Sequence, residues 1–246
     1  MMAKNATTAG SSRSRITAAD ASDLAYGDAR LAILEATGRE IATKGPRGVV
    51  LSEICQRLEV SPALVNYHFG GRDGLLADAV LHEHRKLVLA MNELTLAVTT
   101  SAEDQFRQRF AYRFEWTAAN PGFEPMLNHT SVIDPSGDIM NSRLQDAIGE
   151  VTALDVRGLA TCVAGMYHDT VLTELITDQD PLYRPEFADI TAFVALAAIG
   201  ALTFLTGHHP GSTPLAMQFP ALLADLQASF MDRLVDSVRC QFARLA

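Results

Sequence analysis

The stretch from Leu51 to Leu76, LSEICQRLEVSPALVNYHFGGRDGLL, constrains the fold more than any other part of the chain. Two short amphipathic segments flank a tight break at Glu59-Val60-Ser61. In the second segment Asn66, Tyr67 and His68 stand together where an ordinary core helix would carry aliphatics. This pattern predicts a helix-turn-helix, in which one helix clamps another that is laid into a DNA groove.

The flanking residues fit that reading. From Asp28 to Lys44 the spacing is helical, with Ile33, Thr37 and Ile41 on one face beside Leu34 and Gly38, and Gly45-Pro46 stops it. The second helix is expected over Ser52 to Leu58, capped by Ser52 and with Glu53 in its first turn. Ile54 and Leu58 then face inward, and the small Cys55 lets a partner helix approach. Ser61 caps the third helix, and Pro62 takes its first position, where a missing N–H costs nothing. Val65 and Phe69 pack inward, Leu64 is expected to be exposed, and Gly70-Gly71 ends the helix. Pro62, Ala63, Asn66 and Tyr67 must then face away from the core, with His68 at the edge. An exposed Asn pairs with adenine edges or phosphate, Tyr and His reach phosphate, and Ala63 suits a thymine methyl. Leu64 belongs to the same groove-facing set, while Arg47, Ser52, Ser61, His68 and Arg72 are the candidates for holding the DNA backbone.

Residues 30 to 80 resemble the DNA-binding domain of the TetR family of transcriptional regulators. The likeness is carried by Lys44-Gly45 at the end of the first helix, by Glu53-Ile54 in the second, and by Val60-Ser61 ahead of Val65-Asn66-Tyr67-His68-Phe69. Phe69-Gly70-Gly71-Arg72-Asp73-Gly74-Leu75-Leu76 is similar to the family's Phe-x-x-Lys-x-x-Leu-Leu passage into a long fourth helix. Four positions depart from the pattern. Glu59 stands where Gly is common in the turn, and Ile41 where the first helix usually has Phe. Val50-Leu51 stands where a phosphate-binding Thr often opens the second helix, and Asn66 where Tyr is frequent. The resemblance implies a dimer formed through C-terminal helices and a small-molecule pocket in the C-terminal body.

Charge is distributed in keeping with a DNA-binding end. The chain of 246 residues carries a net charge of −9 and a pI near 5.2. Through Lys86, however, 11 Lys/Arg face 10 Asp/Glu, and beyond it 9 face 19, so the acidic surplus lies entirely in the later part. Phosphate attraction depends on local charge, which permits DNA binding with modest non-specific affinity. Cys55, Cys162 and Cys240 are too scattered for a disulfide framework or a zinc knuckle and fit a reducing cytoplasm. Ile190 to Thr206 holds 17 uncharged residues, short of the roughly 20 needed to span a bilayer and rich in small side chains, so a buried helix is expected. No glycine-rich phosphate loop, GxSxG or HExxH occurs; His82 and His84 point to different sides of a helix, and neither catalysis, a metal nor a cofactor is expected.

The organisation expected is all-α. Residues 1–27 form a basic-tinged disordered arm, 28–72 the three-helix DNA-binding head, and 73–246 a larger helical ligand-binding and dimerisation domain. In the body, helices are expected at about 73–99, 102–119, 138–153, 155–177, 186–206 and 215–243. Ala192, Ala195, Ala197, Ala198, Gly200 and Ala201 permit close helix approach, and Leu223, Leu226, Phe230 and Leu234 recur at three- and four-residue steps. Two such helices and their symmetry mates would make a four-helix interface. Phe110, Phe114, Trp116, Met126, His129, Met140, Met166 and Tyr167 are candidate lining for an apolar ligand pocket. The function expected is a repressor that binds a palindromic double-stranded DNA operator as a homodimer and releases it on binding a small apolar or amphipathic effector. A helical protein-binding adaptor with a vestigial head is the alternative.

Overall fold

The computed structural model of the chain describes residues 18–123, 142–205 and 220–245. Residues 1–17 of the expected arm, residues 206–219 and the candidates Met126, His129 and Met140 lie outside the described residues, while residues 18–27, expected in the disordered arm, are helical. Eight α-helices and no strand occur among the residues described.

The head opens with α1 (Ala18–Lys44), whose buried face carries Ile33, Leu34, Thr37 and Ile41, as the spacing predicts. Gly45, at φ 69°, ends it, and a single 3-10 turn over Pro46–Gly48 follows. Helix α2 (Leu51–Arg57) starts one residue earlier than expected. Its N-cap is Val50, which offers no side-chain bond, so Ser52 sits inside the first turn with its hydroxyl left for other use.

The link to α3 (Pro62–Phe69) is a Schellman closure: the Val60 N–H reaches the Cys55 carbonyl (3.0 Å) and the Glu59 N–H the Gln56 carbonyl (3.3 Å). That motif demands a left-handed residue at its centre, and Glu59 occupies it at φ 55°. Ser61 then caps α3 by accepting the Leu64 N–H at 3.3 Å, Pro62 opens it, and left-handed Gly70 closes it with its N–H on the Asn66 carbonyl.

Helix α4 (Arg72–Ala97) begins so close to α3 that a Cβ on Gly74 would lie 1.9 Å from the Phe69 carbonyl oxygen. Its first two turns contribute Leu75, Leu76, Ala79 and Val80 to the same core as Ile33, Ile54, Val65 and Phe69. The head's core therefore does not stop at Arg72. It also receives Phe123, from the turn that follows α5 (Ala102–Ala119).

The body packs α4 and α5 against α6 (Ser142–His168), α7 (Glu186–Leu205) and α8 (Pro220–Phe242). Phe106, Phe110 and Phe114 of α5 meet Leu159 and Val163 of α6, Phe187 and Val194 of α7, and Leu234, Val235 and Val238 of α8 in one apolar cluster. The two helices expected over 138–153 and 155–177 are one. Thr152-Ala153-Leu154-Asp155 contains neither Gly nor Pro, and Asp155 uses its carboxylate on arginines of α5 instead of capping a new helix. Helix α6 also stops short of Thr177: Asp169 turns left-handed (φ 49°) and the Thr170 N–H bonds back to the Gly165 carbonyl. The non-helical stretch beyond it is stitched down by buried Gln105, whose side chain exchanges bonds with both backbone groups of Leu172. The helix at Glu186–Leu205 is not the fully buried helix expected: Phe187, Ile190, Val194 and Ala198 face the core while Phe193 and Leu196 stay exposed, and no described helix is long and apolar enough to cross a membrane.

A non-glycine residue in the left-handed region costs roughly 1–2 kcal/mol. Glu59→Gly should therefore stabilise the protein by about 1 kcal/mol and raise Tm by roughly 2–4 °C, read by calorimetry. An unchanged or lower Tm would show that the Glu59 side chain supplies compensating interactions.

Candidate nucleic-acid interface and inner cleft

The exposed side of α3 is built by the residues on its opposite side. Val65 is fully buried and Phe69 nearly so, which rotates Pro62, Ala63, Asn66 and Tyr67 outward. Tyr67 is 75% exposed although it is a large aromatic, a position that packing alone does not explain. His68 is half-buried, edge-to-face with Tyr67 at 5.3 Å and tilted against Phe69 at 5.9 Å. Ser52, Ser61 and Arg47 are exposed around this face. Leu64 differs from expectation. It is half-buried against the head core, because the cap at Ser61 turns the first residues of α3 toward Val60 and Leu58.

Arg72 also has a more specific place than the sequence suggests. One Nη donates to the carbonyls of Pro46 (2.8 Å) and Val49 (3.3 Å), and the other faces Asp73. It clamps the 3-10 turn onto the start of α4, holding Arg47 and the entry to α2 in place. Three further ion pairs that spacing did not single out brace the head. Glu40, largely buried, is gripped by Lys44 (2.6 Å) and Arg57 (2.7 Å), whose hydrogen bonds hold its carboxyl below the usual range against the upward push of burial. Arg30 stacks over Phe69 at 5.2 Å and pairs with Asp78 at 2.7 Å, joining α1, α3 and α4. The helix α3 itself carries no acidic residue.

A second feature lies in the body. A small cleft of about 70 Å³ is lined by Met91 of α4, Arg109, Phe110 and Arg113 of α5, Asp155 and Leu159 of α6, and Ala195 and Ala198 of α7. Arg109, only 3% exposed, donates to Asn92 Oδ1 (2.6 Å), to the Asp155 carbonyl (2.9 Å) and to its carboxylate. Arg113 meets the other carboxylate oxygen at 2.9 Å. Gly158 makes this possible, since a Cβ there would lie 2.1 Å from Asn92 Oδ1 and 2.6 Å from Arg109 Nη1. Burial pushes the Asp155 carboxyl upward, but Arg113 and Arg109 outweigh it and hold it below its ordinary range. Of the expected pocket lining, Phe110 is here. Phe114 packs on Phe230, and Tyr167 sits among Phe187, Phe242 and Arg184 with Met166 beside that core. Trp116 is not at the cleft. It stacks on Phe123 (5.5 Å) at the seam between head and body, one α5 face round from Phe110. Arg109 and Asp155 escaped sequence reading because charged residues on two helices 46 positions apart give no local sign that they meet.

Comparison with known proteins bears on the head. Residues 33–79 match the family model described as bacterial regulatory proteins, tetR family. The head is a TetR-family helix-turn-helix DNA-binding domain. Over 88 residues the chain is 31% identical to the HTH-type transcriptional regulator BetI of Burkholderia ambifaria (strain MC40-6) and to that of Burkholderia cenocepacia (strain HI2424). Each match covers 36% of this chain and 45% of the relative, so the chain spans under half the length of the curated relatives it matches. A crystal structure from Shewanella sp. PV-4, proposed as a tetR family transcription regulator, aligns with a TM-score of 0.47 at 15% identity over 83% of this chain and 97% of that one. The matched span in this TetR-family head runs from Ile33 on α1 through Ala79 on α4, so it includes the α4 turns that complete the head's core.

His84, on α4, faces the ion cluster with its Nε2 buried and without a hydrogen-bond partner. Burial first, and Arg113 second, push its pKa below the ordinary 6.5, with Asp155 opposing. The folded state thus disfavours the protonated ring. The stability this represents is complete above pH 6.5 and is lost as pH falls through the lowered folded value. His84→Gln should flatten the loss of stability between pH 7 and the acid side of that window in urea titrations, whereas the Asp155 contribution disappears only below about pH 4. Equal slopes for both proteins would remove His84 from the acid response.

Proposed function

We propose that the protein is a TetR-type transcriptional regulator, a cytoplasmic homodimer that represses transcription from a palindromic operator and lets go of it when a small effector enters the body. The observation that carries the DNA half is the outward face of α3, where Asn66 and highly exposed Tyr67 stand on a capped, braced helix free of acidic residues. Pro62, Ala63, Asn66 and Tyr67 read the major groove, with Leu64 at the margin where its side chain meets the head core. Arg47, Ser52, Ser61 and His68 hold phosphates, and Arg72 acts by ordering the segment that carries Arg47.

Two heads read one palindrome only if they are held at a fixed spacing, with half-sites about 34–36 Å apart. The surface suited to that is on α7 and α8. Leu196 is 73% exposed, and Phe193, Leu222 and Leu226 are exposed nearby, an apolar area that a lone chain would leave in water. A second copy of α7 and α8 covers it as a four-helix contact.

Helix α5 supports the effector half. Arg109, Phe110 and Arg113 in its middle line the cleft, and the turn after its end plants Phe123 in the head core. The distance along the helix from Arg109 to Ala119 is about 15 Å. A ligand that shifts α5 therefore moves a head residue directly, and its effect equals the difference in its affinity for the two arrangements.

Duplexes selected by the protein from a random pool should contain inverted repeats. Asn66→Ala and Tyr67→Ala should each weaken gel-shift affinity for them by about 1–3 kcal/mol at fixed salt while leaving Tm nearly unchanged, since both side chains are exposed. Undiminished binding by both variants would remove α3 as the reading helix. Leu196→Glu should convert dimer to monomer in light scattering; a persisting dimer would place the interface elsewhere.

A further inference from the structure

The cleft in the body carries two guanidinium groups and one carboxylate. Arg109 and Arg113 both line it, Asp155 divides its two oxygens between them, and Asn92 adds only a neutral acceptor to Arg109. His84, which also faces the cluster, is driven toward its neutral form by burial and by Arg113. Two arginines against one carboxylate leave one positive charge unbalanced, shared between almost wholly buried Arg109 and Arg113, whose side chain is 18% exposed. An unmatched charge that is largely withdrawn from water favours the arrival of a counter-charge. The remaining walls, Met91, Phe110, Leu159, Ala195 and Ala198, are apolar, and the two alanines are the smallest side chains among them.

We propose that the cleft binds a small organic monoanion, a monocarboxylate with a short apolar tail. Its carboxylate shares Arg113 with Asp155, and its tail lies along Phe110, Leu159 and the alanines of α7. The charge balance sets the class. One negative charge neutralises the cluster, a dianion would leave a surplus beside Asp155, and an ammonium would face two guanidinium groups. A neutral alcohol of the same shape gains the apolar contacts but leaves the charge unmatched. Planar, two-donor recognition of a carboxylate is also what arginine does best. This names the chemistry of the effector site and rests on the reading of the body as an effector domain. It is tested without DNA, so that the two readings fail separately.

The full chain is titrated calorimetrically with butyrate, hexanoate and octanoate, and with the primary alcohol and the alkylammonium of each length. At least one carboxylate should bind saturably, with its alcohol and ammonium counterparts at least tenfold weaker. Arg113→Gln should weaken that carboxylate roughly tenfold to hundredfold, the range of a charge-assisted hydrogen bond. Arg113→Lys should recover part of the loss. Ala195→Leu, away from the ion cluster, should weaken the longer chains more than butyrate, which keeps the site testable if Arg113→Gln does not fold. No binding by any carboxylate, equal binding of the alcohols or ammoniums, or affinity untouched by both Arg113→Gln and Ala195→Leu overturns the proposal. A carboxylate that binds as described but leaves operator affinity unchanged supports the site and overturns effector release.

Discussion

The burial of Arg109 organises the body. Its guanidinium lies between α4, α5 and α6, bonded to Asn92 on one side and to the backbone and carboxylate of Asp155 on the other. Desolvating an arginine is tolerable only when its donors are met with good geometry, so these partners cannot drift independently. Gly158 is fixed by the same demand, because any side chain there would occupy the space of the Arg109–Asn92 bond. Breaking one side of such a group costs more than the bond itself, since a buried charge is left behind. The neighbouring thiol of Cys162 is pushed up to about 11 by burial, which makes it a packing group and not a nucleophile.

Through α5 this cluster is joined to the head. The turn after α5 approaches α1 so closely that a Cβ on Gly122 would lie 1.7 Å from the Ile41 carbonyl oxygen, and the Gly122 N–H bonds the Ala42 carbonyl at 3.3 Å. Phe123 then enters the core that holds α2 and α3, with Trp116 stacked behind it. The head is thus completed by residues from two body helices, α4 and the α5 turn. A three-helix unit cut at Arg72 would lose Leu75, Leu76, Val80 and Phe123 from its core.

What the sequence disclosed follows from how local each signal was. Ser61, Pro62, Gly70 and the Val65–Phe69 pair act within one turn of the chain, and α3 with its outward Asn66 and Tyr67 was legible from them. The departure at Glu59, which stands where Gly is common in the turn, fell at the position the structure holds left-handed. Ser52 misled because a good capping residue lay one position inside a helix whose start is set by Val49 and Leu51 reaching the core. Asp155 misled in the opposite sense, reading as a helix start while serving two arginines of another helix. Arg72 looked like a phosphate ligand because exposed arginines in such heads face solvent, and only the folded course of residues 46–49 brings two carbonyls to it. The cleft was the least legible feature. Its aromatic candidates were spread over α5 and α6 by composition alone, while its polar end depends on three helices crossing.

The acid in the body and the near neutrality of the head then bear on how DNA is held. A net charge near +1 through Lys86 would supply little counterion release on DNA, so sequence-independent attachment should be weak. Specific affinity in such a head has to come from shape and from the α3 face, both of which require α3 to be rigidly aimed. Rigidity is what the Arg30–Phe69 stack, the Glu40 pairs and the Arg72 clamp provide, each joining elements far apart in sequence. A head braced in this way would move as one body. Displacement of Phe123 by α5 would accordingly re-aim the whole reading face rather than loosen it locally, and the separation between two such faces is the quantity a dimeric DNA reader depends on most.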